Sequence, residues 1–239
     1  MTYKEVFTKA VPQDKRDEDK FALVSTNISR PLSILITIPL LKTRIKATTV
    51  TKISVFSLFV GFFVLIFSSS LLQSLLGWSF FFVWAVLDHV DGNIARYKNE
   101  CSLLGDLWDT MGGYLAMILM YFSAGILAYN EVYLLNYLEP HHYLILGSAT
   151  ALLSIFPRLM MHKKKSSLVG KVVGQEFTDK KNFSVPKIIM MNFVAPTDGL
   201  LLFFLISIIF SINYIFILFY FIINLLISLV ALRGILKEE

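Results

Sequence analysis

Four aspartates, Asp88, Asp91, Asp106 and Asp109, lie close together between two strongly apolar runs of the chain. Asp88 and Asp91 are three residues apart, so they lie on one face if this segment is helical. Asp109 follows after a short polar interruption, and two helix ends joined by a turn would aim it at the same point. Carboxylates without His or Cys suit Mg²⁺, Mn²⁺ or Ca²⁺ rather than zinc. The spacing therefore predicts a divalent-metal site with Asp88, Asp91 and Asp109 as ligands.

Small residues alternate with these acids: Gly92, Ala95, Gly105, Gly112 and Gly113. They either let helices pack closely or leave room for a ligand beside the metal. Arg96 follows Ala95 and is placed to meet phosphate oxygens. Together these residues predict a site that holds a metal-bound diphosphate.

The rest of the chain indicates that this site lies in a membrane protein. The 239 residues are 56% hydrophobic and only 16% charged, and they include 21 Phe. These values are typical of a multi-span protein rather than a soluble domain. Six apolar runs approach the length that crosses a bilayer, at about 52–70, 74–97, 107–128, 141–161, 190–211 and 213–234. We therefore predict an all-α integral membrane protein with six transmembrane helices.

A shorter apolar run, at about 31–41, precedes the first span. It is too short to cross, contains Pro31 and Pro39, and is flanked by basic residues. An interfacial amphipathic helix fits it better than a span. The predicted organisation is a cytoplasmic N-terminal tail over 1–30, an interfacial helix over 31–46 and a six-helix membrane domain over 47–239.

The basic residues predict the orientation, because Lys and Arg accumulate in short cytoplasmic loops. With six spans, all 22 Lys and Arg fall on the side of the N-terminal tail. The opposite loops, "SSSLLQS", "YNEVYLLNYLEPHH" and "SIN", contain none. Both termini and the acidic site are thus expected on the cytoplasmic side. The net charge of +5 is explained by topology and by anionic membrane lipids, without a nucleic-acid partner.

The acidic segment resembles a known family signature. The order Asp-x-x-Asp-Gly-x-x-Ala-Arg, then eight residues, then Gly-x-x-x-Asp is similar to the motif of the CDP-alcohol phosphotransferases, also called CDP-alcohol phosphatidyltransferases. The matching residues are Asp88, Asp91, Gly92, Ala95, Arg96, Gly105 and Asp109. The segment "IKATTVTKIS" resembles the "TPN-x-x-T" entry to the family's first span, with Ala47 and Thr48 in place of Pro-Asn.

The resemblance implies an enzyme that moves a phospho-alcohol or phosphatidyl group from a CDP-linked donor to a lipid or polyol acceptor and releases CMP. It implies Mg²⁺ or Mn²⁺ on Asp88, Asp91 and Asp109. Gly92, Ala95 and Gly105 would leave space for the cytidine and its phosphates, and Arg96 would support the phosphates or orient a carboxylate. Relatives are often dimeric, which implies a homodimer.

One position departs from the family pattern. A fourth aspartate, commonly assigned as general base or further metal ligand, is Gly113 in this chain. Another group could take the proton, with Asp106 and His89 nearby and Asp198 remote. Metal activation or a phosphate on the acceptor could suffice, or the chain could bind its ligand without catalysis. We favour activity, because a general base typically contributes only about 10²–10⁴-fold.

Outside the motif, Arg158 lies in an apolar run after Pro157, where an unpaired charge is costly. It is a further candidate for phosphate binding, together with lysines of the basic loop His162–Lys187. The simpler interpretation of that loop is that its lysines contact anionic lipid headgroups. A different class of function is a cation-binding transporter or scaffold. A transporter is expected to show internal repeats, and the sequence shows none.

Overall fold

The computed structural model describes residues 1–13, 16, 22, 24–131, 138–168 and 192–236. Regular structure in these ranges is helical, with a π-helical turn at Ser25–Ser29. The main α-helices are α1 Tyr3–Ala10, α2 Arg30–Leu40, α3 Ala47–Ile66, α4 Leu71–Lys98, α5 Leu103–Tyr129, α6 Pro140–Leu168, α7 Gly199–Ile209 and α8 Asn213–Leu236. Most of the basic loop His162–Lys187 lies outside the described residues.

Five helices are long and apolar enough to cross a membrane: Ala47–Ile66, Leu71–Lys98, Leu103–Tyr129, Pro140–Lys163 and Asn213–Arg233. Large apolar side chains such as Phe56, Leu72 and Val230 are exposed on them, as expected where lipid is the solvent. The prediction of an all-helical membrane protein is therefore confirmed. The fifth predicted span, 190–211, contains only the shorter α7 among its described residues. The count of six stays a prediction.

The chain divides into two compact units. The first comprises Met1–Ala116 and Lys180–Phe203, and the second comprises Met117–Asp179 and Phe204–Glu239. In the first unit α3 and α4 pack closely through glycines. A Cβ on Gly61 would lie only 2.8 Å from the carbonyl oxygen of Gly77. Small residues at this contact allow the two backbones to approach closely, which sets the distance between α3 and α4.

The N-terminal residues pack on this helix pair. α1 begins with a capping box in which the Thr2 hydroxyl accepts from the Glu5 amide and the Glu5 carboxylate accepts from the Thr2 amide. Its apolar face is fully buried against α2 and α4 through Val6, Ala10, Val11, Ile34, Val90 and Ile94. Part of the predicted tail is therefore a folded element. The sequence did not predict α1, because most of the segment is polar and the apolar face of α1 is only two turns long.

α2 confirms a helix where the sequence predicted one over 31–41. Pro31 stands at its start, where the missing N–H is not needed. Its buried face carries Ser33 and Thr37, while Leu32 and Leu35 are exposed. This polarity suits a helix that presents apolar side chains to lipid. Its interfacial position stays a prediction.

The second unit is held by close helix contacts and buried polar bonds. A Cβ on Gly147 would lie 2.9 Å from the Gly125 Cα, so α5 and α6 touch backbone to backbone. Asn224 of α8 donates to the Tyr121 hydroxyl of α5 at 3.2 Å. Glu131, just after α5, accepts hydrogen bonds from the first amides of α8. Such bonds satisfy donors that a helix start leaves unpaired.

Candidate active site

The ends of α4 and α5 place the acidic motif. α4 ends at Lys98, and Asn99 adopts a left-handed conformation with φ of 57° that turns the chain. α5 begins at Leu103, and the Ser102 hydroxyl accepts from the Gly105 amide at 3.1 Å. This capping bond stabilises the first turn of α5. The predicted arrangement of two helix ends joined by a short turn is confirmed.

The structure brings three of the aspartates together. The Asp88 and Asp109 carboxyl groups are within hydrogen-bonding reach of each other. Asp109 is also close enough to Asp91 to repel its charge. Asp91 is almost fully buried at 5% exposure, whereas Asp109 is exposed. Asp106 is exposed on the same helix as Asp109.

Asp91 has a partner from the start of α3. The Thr51 hydroxyl is within reach of the Asp91 carboxylate and lies 3.1 Å from the Ala47 carbonyl oxygen. A hydroxyl donates one hydrogen bond at a time, so the Asp91 carboxylate and the Ala47 carbonyl oxygen are alternative acceptors for Thr51. Thr51 is the last threonine of the segment that resembles the family's entry to its first span. This segment therefore contributes directly to the acidic cluster.

These carboxylates suit a divalent cation. One Asp91 oxygen, Oδ2, is buried and accepts no hydrogen bond from any described residue. A buried anionic oxygen without a donor is costly, and a cation would satisfy it. Over the described ranges, however, no three His, Cys, Asp or Glu side chains already form a metal-binding group. The cluster has the right chemistry for a divalent metal.

Arg96 lies across the small residues of the motif. Its Nε donates to the Ala10 carbonyl oxygen at 2.6 Å, and a terminal nitrogen donates to Asn93 Oδ1 at 3.2 Å. A Cβ on Gly92 would lie 2.9 Å from another guanidinium nitrogen. Gly92 therefore makes room for the Arg96 side chain. The sequence analysis had expected Gly92 to leave room for a ligand. The guanidinium is also close enough to Asp91 to attract its charge.

The other small residues differ in their surroundings. Ala95 is half-buried, and its carbonyl oxygen accepts from the Glu100 amide at 2.8 Å in the turn after α4. A Cβ on Gly105 would lie 3.3 Å from the Ser102 hydroxyl. At Gly113 a Cβ would meet no described atom within 4 Å. The place of the family's fourth aspartate, one turn beyond Asp109, is thus open with respect to the described residues.

Sequence reasoning missed Arg30 as a residue of this region. It is 8% exposed and close enough to Asp88 to act on its charge. In the sequence it stands beside Pro31 among other basic residues and looks like a topology signal. The available clue was the position of Arg30 at the start of the predicted helix over 31–41. An arginine that is buried there requires a charged partner.

Two of the three candidate proton acceptors, His89 and Asp198, already hold hydrogen bonds. His89 Nε2 lies 2.6 Å from the Ser25 hydroxyl. Asp198 Oδ1 accepts from the amides of Val24 and Ser25 at 2.9 and 2.8 Å. Both residues therefore contact the π-helical turn.

Arg158 belongs to the second unit. It is half-buried in α6. Its charge is close enough to interact electrostatically with the Tyr121 hydroxyl. Its predicted role in phosphate binding stays a prediction.

The comparisons with known proteins agree with the motif. The family model for CDP-alcohol phosphatidyltransferase matches residues 44–232, which include α3, both motif helices and most of α8. A comparison with curated proteins found no match. The matched range covers more than half of the chain, so this protein belongs to the CDP-alcohol phosphatidyltransferase family.

Proposed function

We propose that this protein is an active transferase that moves a phospho-alcohol or phosphatidyl group from a CDP-linked donor to an acceptor hydroxyl. The acceptor oxygen forms a bond to the phosphorus that carries the donor's alcohol. The bond from that phosphorus to the CMP phosphate oxygen breaks, and CMP leaves with the electron pair. The observation that carries the proposal is the convergence of Asp88 and Asp109 from two helices, with buried Asp91 beside them.

Asp88, Asp91 and Asp109 would hold Mg²⁺ or Mn²⁺. The cation would neutralise the diphosphate and polarise the phosphorus under attack. Thr51 supports this site, because its hydroxyl can hold one Asp91 oxygen, and Oδ2 would be available to the cation. A hydrogen bond to a metal-binding carboxylate fixes the orientation of that ligand.

Arg96 and the small residues serve the donor. The Ala10 and Asn93 bonds fix the guanidinium plane, which leaves its charge beside Asp91 for the donor phosphates. Ala95 and Gly105 would leave room for the nucleotide, and Arg158 is a further candidate for phosphate binding. Positioning and charge neutralisation are the main requirements of phosphoryl transfer.

The proton of the acceptor hydroxyl needs an acceptor other than residue 113. His89 and Asp198 are engaged with the π-helical turn. Asp106 is exposed and lies three residues before Asp109, on the same side of α5. We therefore favour Asp106 as the group that receives this proton, together with activation of the hydroxyl by the metal.

The setting of the reaction follows the charge pattern. Six spans over 47–239 would place both termini and the acidic cluster at the cytoplasmic side, where the basic loops meet anionic lipids. A site at the membrane surface suits a reaction between one lipid and one soluble substrate. Phospholipid synthesis, or synthesis of a related glycolipid or polymer, is the corresponding process. A homodimer remains part of this proposal.

A donor and acceptor screen tests the function. Purified protein in lipid nanodiscs is incubated with Mg²⁺, one of several CDP-alcohols, and diacylglycerol or a polyol, and CMP release is measured. We expect metal-dependent CMP release with at least one pair. Binding of CDP-alcohol without CMP release from any pair would instead support a silent binding protein. Cation flux without nucleotide binding would support a transporter.

A further inference from the structure

Asp198 is held in a tight turn immediately before α7. Its amide donates to the Ala195 carbonyl oxygen at 3.1 Å, and the Leu200 amide donates to the same oxygen at 3.2 Å. A Cβ on Gly199 would lie 2.5 Å from the Asn192 carbonyl oxygen, so the chain passes too closely for any side chain there. Pro196 and Gly199 therefore fix the backbone on both sides of Asp198.

The Asp198 carboxylate binds the start of the π-helical turn. A single oxygen accepts from the amides of Val24 and Ser25, and Asp198 is only 4% exposed. The first amides of a helical segment have no partner within the segment. Without Asp198 these two amides would lose this acceptor, which is costly at the buried Ser25 amide.

The π-helical turn then reaches the reaction centre at two points. The Ser25 hydroxyl contacts His89, the residue next to Asp88, at 2.6 Å. At the other end of the turn, Arg30 is buried and interacts with the charge of Asp88. The turn thus links Asp198 to a proposed metal ligand.

We propose that Asp198 is a positioning residue of the reaction centre, which fixes the π-helical turn Ser25–Ser29 so that Arg30 stands beside Asp88. The proposal rests on the proposed function. It gives Asp198 no part in proton transfer, because one carboxylate oxygen already accepts two amide hydrogen bonds. It also gives the N-terminal segment, which lies before the matched family range, a role in the reaction.

Two substitutions at Asp198 separate positioning from proton transfer. Asp198→Asn keeps an oxygen that accepts both amides, so kcat should stay within about threefold of the wild type. Asp198→Ala removes the acceptor, and kcat should fall by about 10–100-fold, as expected for small misplacement of reacting groups. The matched control is Glu139→Ala, an exposed acid in a loop of the second unit. Equal losses in Asp198→Asn and Asp198→Ala would overturn the proposal.

A double variant tests the route through Arg30. If Asp198 acts by placing Arg30, the kcat of the Asp198→Ala, Arg30→Gln double variant should be within about twofold of the kcat of the Arg30→Gln single variant. Arg44→Gln, an exposed arginine just beyond α2, is the control for loss of a basic charge. Losses that multiply in the double variant would show that the two residues act separately.

Two further readouts do not depend on turnover. Hydrogen–deuterium exchange of peptides covering residues 24–30 should rise in Asp198→Ala and stay unchanged in Asp198→Asn. The Kd for Mn²⁺, measured by electron paramagnetic resonance, should shift by the same factor in Asp198→Ala and Arg30→Gln. Absence of CMP release from the wild type would refute the proposed function alone. Unchanged exchange and unchanged Mn²⁺ affinity in both variants would refute the positioning role.

Discussion

Arg96 Nε donates a hydrogen bond to the Ala10 carbonyl oxygen at 2.6 Å, across 86 residues of sequence. The bond ties the last residue of α1 to the arginine of the family motif. Because a second bond to Asn93 fixes the same guanidinium, the side chain is held in one plane before any ligand arrives. The N-terminal helix is therefore part of the donor side of the proposed site.

Arg96→Lys should lower kcat/KM for the CDP-linked donor by at least about tenfold. A lysine ammonium cannot make both bonds in the geometry of a planar guanidinium. CMP release gives the kinetic loss, and hydrogen exchange over residues 3–10 should rise because α1 loses its attachment. Arg44→Lys, at an exposed position, serves as the control. Wild-type kinetics in Arg96→Lys would show that the fixed plane is unimportant.

Thr51→Val should weaken Mn²⁺ binding by about 10–100-fold, the usual effect of removing a hydrogen bond to a metal ligand. Valine keeps the shape of threonine but cannot donate to Asp91. Thr51→Ser should retain most of the affinity, since the hydroxyl remains. Thr49→Val changes an exposed threonine of the same helix and should leave binding unchanged. If Thr51→Val binds Mn²⁺ as tightly as the wild type does, Asp91 needs no support from α3.

The sequence predicted α4 and α5 well, because their apolar runs are long and the acidic motif marks the turn between them. It also predicted that Asp88, Asp91 and Asp109 approach one another, and their role as metal ligands stays a prediction. The sequence did not predict contacts between segments that are far apart in the chain. Nothing local indicates that Asp198 meets Val24 and Ser25, since 174 and 173 residues separate the partners.

The N-terminal region and the fifth predicted span show a second limit. α1 is short and carries charged residues on its exposed face, so composition described it as a tail. Over 190–211, mean hydropathy favoured a single span. The structure places a turn at Pro196–Asp198, and α7 begins only at Gly199. Proline and glycine in an apolar run were the local signal for that turn.

Gly113→Asp should fold normally and raise kcat, by up to about 100-fold if proton removal limits the reaction. A side chain at this position meets open space, and the new carboxylate would lie one turn beyond Asp109. Gly112→Asp is the matched control. There the Cβ would lie 3.4 Å from Trp84 Nε1 and 3.5 Å from a Val55 methyl carbon, and a buried carboxylate should destabilise the protein.

An unchanged kcat in Gly113→Asp would show that proton removal is not limiting. A Tm loss in Gly113→Asp as large as that in Gly112→Asp would contradict the open space at residue 113.

Glu131 should make stability depend on pH. Burial raises its pKa above the ordinary value of 4.5, although Asn213 and Tyr214 donate to it. The folded protein then holds the proton more tightly than the unfolded chain does. This contribution to stability is fully present below pH 4.5 and is lost as pH rises through the raised pKa.

The measurement is Tm against pH in the wild type, Glu131→Gln and Glu139→Gln. Tm should fall with rising pH above 4.5 in the wild type and in Glu139→Gln. The Glu131→Gln variant should lack this component, because its side chain does not titrate. The same pH slope in all three proteins would show that Glu131 does not carry the effect.

Metal-dependent turnover is the central claim, and it is tested by CMP release after metal removal and return. Wild-type protein treated with chelator should lose CMP release and regain it with Mg²⁺ or Mn²⁺. Asp88→Asn and Asp109→Asn should stay inactive at every metal concentration, while Glu100→Gln, an exposed acid in the turn between α4 and α5, should behave as the wild type. CMP release that survives chelation, or that survives Asp109→Asn, would contradict the proposed site.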